Sequence, residues 1–251
     1  MARFVACDST TARLCLTLGH MARGAFITFE GSEGCGKSTQ VKRLAARLEQ
    51  AGIRTLVTRE PGGTAIGEKI RDLLQFAPES FAMTPETEVL LFEASRAQLV
   101  HETIQPALEQ GTIVISDRFS DSTTVYQGVA RKLSPEIVAT LNAFAVGDAR
   151  PDVTFILDID VETARARLLR RVRPVQVKDR MEEEPVEFYE RVCQGYRELA
   201  KREPDRFILI DGAQSPDAIE AEIWNTLQSK IEIRRNAARA ASEAGPSKSK
   251  M

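Results

Sequence analysis

Residues 31 to 39 read Gly-Ser-Glu-Gly-Cys-Gly-Lys-Ser-Thr, a complete G-x-x-x-x-G-K-[ST] string. Gly31, Gly34 and Gly36 let the backbone bend until its N–H groups converge on phosphate oxygens at a helix N-terminus, where the macrodipole also favours an anion. Gly31, Ser32, Glu33, Gly34, Cys35, Gly36, Lys37, Ser38 and Thr39 are therefore the candidate nucleotide-binding loop. Lys37 would reach the β- and γ-phosphates, and Ser38 would ligate Mg²⁺. The loop follows an apolar run, Ala25 to Phe29, and precedes a helix-forming run, Gln40 to Gln50. That strand-loop-helix context separates a phosphate cradle from a fortuitous Gly-rich turn.

Other strings carry chemistry of the same kind. Thr58-Arg59-Glu60-Pro61-Gly62-Gly63-Thr64 is a bent turn that leaves an Arg and a Glu facing a crevice; the plainer reading is a turn with solvated charges. Asp117-Arg118-Phe119 ends a β-branched run. Asp117 has the placement of a Walker-B-like carboxylate for Mg²⁺, and Arg118 that of a phosphate clamp, against the alternative of a surface ion pair. Phe92 and Arg96, at i and i+4 in a helical stretch around 84 to 109, could stack on and donate to a planar base, although plain core packing suits Phe92 better on spacing alone. Residues 165 to 180 hold Arg165, Arg167, Arg170, Arg171, Arg173, Lys178 and Arg180 against one acid, Asp179. In a nearly neutral chain such a segment suits a cap that closes on phosphates better than a nucleic-acid patch or a solvated helix face. Cys35, at a helix N-terminus beside Lys37, is read as a small loop residue, with a reactive thiol as the sharper alternative.

These residues need a frame to hold them. Runs at 25–30, 53–58, 112–116, 153–158 and 207–211 read as strands, mostly apolar and so buried on both faces, separated by helical patterns. The expected fold is α/β, a five-stranded parallel sheet with helices on both faces and the ligand site at the C-terminal strand ends. At 251 residues and 43% hydrophobic, the chain suits one such domain, expected over 24–229, with a lid at about 165–184. Residues 1–23 read as an extension, either disordered or preceding a true start at Met21, since Met21-Ala22-Arg23 repeats Met1-Ala2-Arg3. Residues 230–251 read as a flexible tail. A net charge of −2 disfavours a nucleic-acid partner. Cys7, Cys15, Cys35 and Cys193 show neither metal-ligand spacing nor a disulfide framework, which suits the cytoplasm. No apolar run of membrane-spanning length exists.

Taken together, Phe29-Glu30-Gly31, the 58–64 turn, Phe92-Glu93-Ala94-Ser95-Arg96-Ala97-Gln98, Asp117-Arg118-Phe119 and Ser122-Thr123-Thr124-Val125-Tyr126-Gln127-Gly128 resemble the bacterial thymidylate kinases over roughly residues 24 to 229. The resemblance implies a P-loop nucleoside monophosphate kinase architecture, transfer of the ATP γ-phosphoryl to dTMP, Mg²⁺ as cofactor and a homodimer. It also implies Phe92 over the thymine, Arg96 on a thymine carbonyl, and Tyr126 and Gln127 lining the nucleoside pocket. Arg59 and Arg118 would hold the dTMP phosphate, with Glu30 near the deoxyribose and that phosphate. The P-loop has Glu33 where some relatives carry an Arg, so the lid must supply the catalytic cation; Arg173 is the first candidate and Arg170 the second. The rival readings are another nucleotide kinase and a P-loop switch, although no guanine-reading Asn-Lys-x-Asp string is present.

Overall fold

The computed structural model describes residues 23–170 and 180–243, with side chains as far as Lys230. Five strands, β1 (Phe26–Glu30), β2 (Thr55–Arg59), β3 (Ile113–Asp117), β4 (Val153–Asp158) and β5 (Phe207–Asp211), form one sheet in the order β2-β3-β1-β4-β5. All neighbours are parallel, with Thr28 opposite both Ser116 of β3 and Thr154 of β4. The central strands are buried almost throughout, as apolar runs predict. The expectation of burial on both faces fails at β2 and β5, because each is an edge strand and leaves alternate side chains in water. β2 also starts later than its apolar run, because the Ile53 amide closes the preceding helix by donating to the Leu48 carbonyl.

Alternation along the strands builds a core on each face. Ile27, Phe29, Ile115, Phe155 and Leu157 meet Leu44 and Leu48 of α1 (Lys37–Gln50) and Trp224 of α9 (Pro216–Glu243). On the other face, Phe26 and Val114 meet Leu99 of α3 (Pro85–Leu99) and Leu108 of α4 (Gln105–Glu109). Ile156 and Phe207 meet Phe188, Val192 and Tyr196 of α8 (Val186–Arg202). Short polar residues start the remaining helices. Thr64 caps α2 (Ala65–Gln75), Ser134 caps α6 (Pro135–Val146) and Asp160 caps α7 (Val161–Leu169), the last by accepting from Thr163 N–H at 2.7 Å. The single helix expected around 84–109 is interrupted by a π-helical turn, Val100–Ile104, because Pro106 has no N–H for the carbonyl of Glu102. A second π segment, Thr124–Ala130, follows the short α5 (Ser120–Thr123). At the C-terminus α9 runs on to Glu243, past the boundary at 230 where composition predicted a flexible tail; its Ala-, Arg- and Glu-rich sequence is made of good helix formers. Of the extension read over 1–23, residues 1–22 lie outside the described residues.

Candidate active site

The site lies where β1, β2 and β3 end. Gly31 turns the chain out of β1 at φ 134°, and a Cβ there would stand 2.6 Å from the Leu157 carbonyl oxygen, so no other residue fits. The loop delivers α1 with Gly36 at its start and no side-chain cap, which leaves first-turn N–H groups pointing into the opening. Lys37 is buried, its ammonium donating to the carbonyls of Gly31 at 3.1 Å and Ser32 at 2.8 Å and to Cys35 Sγ at 3.5 Å. Ser38 donates its hydroxyl directly to the Asp117 carboxylate. These two candidate Mg²⁺ ligands lie 79 residues apart in sequence and meet because β1 and β3 are neighbours. Hydroxyl and carboxylate oxygens at the phosphate end of a cavity are hard donors, the kind Mg²⁺ selects.

Arg118 adopts φ 73°, a left-handed conformation uncommon for a residue with a side chain. Its guanidinium forms an ion pair with Glu33 at 2.6 Å and donates to Tyr126 Oη at 3.1 Å and to the Gly31 carbonyl at 3.2 Å. Burial alone would make that charge costly. The surrounding acidic groups, Glu33 and Glu30 among them, nevertheless hold Arg118 firmly protonated. Arg59 is half exposed and paired with Glu68 at 2.8 Å. Next to it, Glu60 turns inward onto Arg96, which meets it at 2.7 Å and Glu93 at 2.6 Å. Burial pushes the Glu60 carboxyl up to about 7; Arg96 opposes that rise, while Glu93 and Glu30 add to it.

A cavity of about 770 Å³ joins these groups. Its walls include Glu33, Lys37, Ser38, Asp117 and Arg118 on the phosphate side, Arg59 and Glu60 from the 58–64 turn, and Arg167 and Arg170 from α7 and the residue after it. Arg71, Gln75 and Phe76 at the end of α2, and Glu182 of the short 3₁₀ turn Arg180–Glu183, also face it. Nothing in the local sequence singled out that α2 surface, since an amphipathic helix shows which face is buried but not which part of the other face borders a ligand. Arg173 lies outside the described residues.

Several predicted residues sit elsewhere. Glu30 is fully buried behind Arg118 and is not on the cavity wall, because its side chain points to the inner face of β1, where it accepts from the Phe119 amide at 2.8 Å. Arg96 is also fully buried, and all five of its N–H donors have partners: Glu60 twice, Glu93, Asn142 and Thr123. Gln127 donates to Glu88 at 2.7 Å. Glu88, unremarked in the sequence, also gathers Arg131 and Arg180. Burial would raise its pKa, but these cations and the Gln127 amide outweigh that and hold it low. Phe92 is half-buried rather than a core residue. Cys35 is fully buried within the core cluster beneath the loop, which favours the plain reading of a small packed residue over a reactive thiol. Asp158 is paired with Arg197 at 2.8 Å, and Arg167 donates to the Gly212 carbonyl at 2.8 Å.

Known proteins match this arrangement over most of its length. The sequence model of a family described as thymidylate kinase matches residues 29–223. A thymidylate kinase of Geobacter sulfurreducens is 48% identical over 210 residues, covering 83% of this chain and 98% of that protein. One from Pseudomonas putida is 46% identical over 209 residues, covering 83% of this chain and 97% of its own. The crystal structure of thymidylate kinase from Ehrlichia chaffeensis superposes with a TM-score of 0.65 at 34% identity, covering 81% of this chain and 98% of that one. By its loop, its sheet and these relatives, the chain belongs to the thymidylate kinase family, the nucleoside monophosphate kinases that phosphorylate dTMP to dTDP.

Proposed function

We propose the following division of labour for transfer of the ATP γ-phosphoryl to dTMP. The amides of the Gly31–Thr39 loop and Lys37 hold the donor phosphates, Lys37 leaving its own loop carbonyls to do so. Ser38 and Asp117 would hold Mg²⁺, which when bound offsets the charge of the phosphate oxygens. Arg118 and Arg59 hold the dTMP phosphate, and Arg118 exchanges the Glu33 carboxylate for it. Arg170 faces the cavity and in this proposal supplies positive charge to the transferring group, in place of Arg173, the first candidate from the sequence, which lies outside the described residues. Phe92, Tyr126 and Gln127 border the nucleoside. Arg96 can offer a thymine carbonyl a donor by releasing a neutral partner, Asn142 or Thr123, each at 3.1 Å, while keeping both carboxylates.

The observation that carries this reading is that one cavity is bordered by the P-loop, the Ser38–Asp117 pair and several cations, Arg59, Arg118 and Arg170 among them. Donor and acceptor are both polyanions, and bringing their reacting atoms to about 3 Å requires such charge before any transition state is stabilised. The acceptor phosphate is largely dianionic near neutrality, with a second pKa of about 6, so no strong base is required. An assay of ADP release with ATP·Mg and, separately, dTMP, dUMP, dCMP, dGMP and dAMP tests the reading. Strong preference for dTMP is expected, and comparable turnover of another monophosphate would overturn the base-reading roles.

The enzyme works as a homodimer in this proposal. Ile137 and Phe144 are exposed on α6, and Leu90 is exposed on the neighbouring α3, an apolar exposure that suits a second copy. A cytoplasmic location is in keeping with the free thiols of Cys35 and Cys193. Among the described residues no helix is long and apolar enough to cross a membrane.

A further inference from the structure

We infer that Tyr196 is a positioning residue for the acceptor phosphate, acting on Arg118 through Glu30. The inference rests on the reading that Arg118 holds the dTMP phosphate. A left-handed arginine persists only where its surroundings over-determine it. Arg118 is held on three sides: its amide donates to the Phe29 carbonyl at 2.9 Å, its carbonyl accepts from Ser116 Oγ at 2.7 Å, and the next amide, that of Phe119, donates to Glu30 Oε1 at 2.8 Å. The other oxygen, Glu30 Oε2, accepts from Ser122 Oγ at 2.6 Å and from Tyr196 Oη at 2.7 Å. Both hydroxyl oxygens in turn accept from Arg118 Nη1, Ser122 at 3.1 Å and Tyr196 at 3.5 Å.

Two hydroxyls thus bridge a buried carboxylate and the guanidinium. Each hydroxyl donates to Glu30, and Arg118 Nη1 shares its two N–H protons among Ser122 Oγ, Tyr196 Oη and the Gly31 carbonyl, the two hydroxyl oxygens lying 3.2 Å apart. This fixes Nη1 against the protein and leaves Nη2 on the side of Glu33, which lines the cavity. Ser122 is close in sequence to Arg118, but Tyr196 comes from α8, 166 residues beyond Glu30. Tyr196 is buried, does not line the cavity and packs its ring against Tyr126, so it can affect substrate only through the groups it holds.

Tyr196→Phe removes the hydroxyl and keeps the ring. Loss of one hydrogen bond to a charged group predicts a rise in KM for dTMP of about tenfold, with KM for ATP and kcat changed less than about threefold. Ser122→Ala should show the same selective loss, and serves if the Tyr196 variant does not fold. In an Arg118→Ala background, which by itself raises KM for dTMP, Tyr196→Phe should cause no further rise, because the two act in series. A lower melting temperature with KM for dTMP unchanged in both hydroxyl variants, while Arg118→Ala raises it, would mean that the hydroxyls merely satisfy Glu30 and would overturn the inference alone. An unchanged KM for dTMP in Arg118→Ala would overturn the phosphate-site reading and this inference with it.

Discussion

Arg170 and Arg118 illustrate how one residue type serves two demands. Arg118 is locked into buried hydrogen bonds, whereas Arg170 stands after the end of α7 on the cavity wall. Replacing Arg170 by Ala should lower kcat by on the order of 10³ with small effects on either KM, since a cation that meets only the transferring group stabilises the transition state rather than the ground state. Steady-state kinetics decide this, and a kcat within tenfold of the parent would pass the role to Arg173. Cys35 gives a second expectation. Because it is buried, iodoacetamide should leave it unmodified in the native enzyme, as peptide mass mapping would show. Glu60 gives a third. A carboxylate whose folded pKa lies near 7 takes up protons more readily folded than unfolded, so its contribution to stability is fullest below about pH 4.5 and is lost as pH rises through 7. Glu60→Gln should therefore flatten the loss of stability between pH 5 and pH 8, by up to about 3 kcal/mol, in denaturant titrations.

The strands and the P-loop helix were legible because their signals are local. Apolar runs of five or six residues and three glycines specify backbone conformation without reference to distant contacts. The irregular helices were not legible. The segment Ser120–Ala130 is rich in Ser and Thr, yet it forms a short helix and a π turn that tuck Tyr126 inward against α8 and Gln127 onto Glu88 of α3. Burial of Val125 and Tyr126 outweighs the weak helix preference of the Ser and Thr residues before them. In α7 a short polar cap sets up the helix that ends at a catalytic candidate. Asp160 holds the first turn of the helix that leads to Arg167 and Arg170, so Asp160→Ala should lower the midpoint of chemical denaturation.

Assembly is decided by the surface of the folded chain. Phe144 is 87% exposed, and Ile137 lies two turns away on the same face of α6. Phe144→Asp should convert a dimer to a monomer in light scattering, because a charge cannot be buried there without a partner. A parent protein already monomeric at micromolar concentration would remove the dimer from the proposal. The sequence by itself determined a phosphate-loop motif at the end of the first strand of a parallel sheet, and its assembled motifs marked the family. Those features follow from glycine stereochemistry and hydrophobic period, which act over a few residues. Only the tertiary structure decided which carboxylate each arginine faces. Strand order β2-β3-β1-β4-β5 sets Ser38 on Asp117 and Glu33 on Arg118, and it turns Glu30 away from the cavity to hold the backbone after Arg118. Pairings between residues about 80 to 90 positions apart depend on how strands stack, and no local pattern records that.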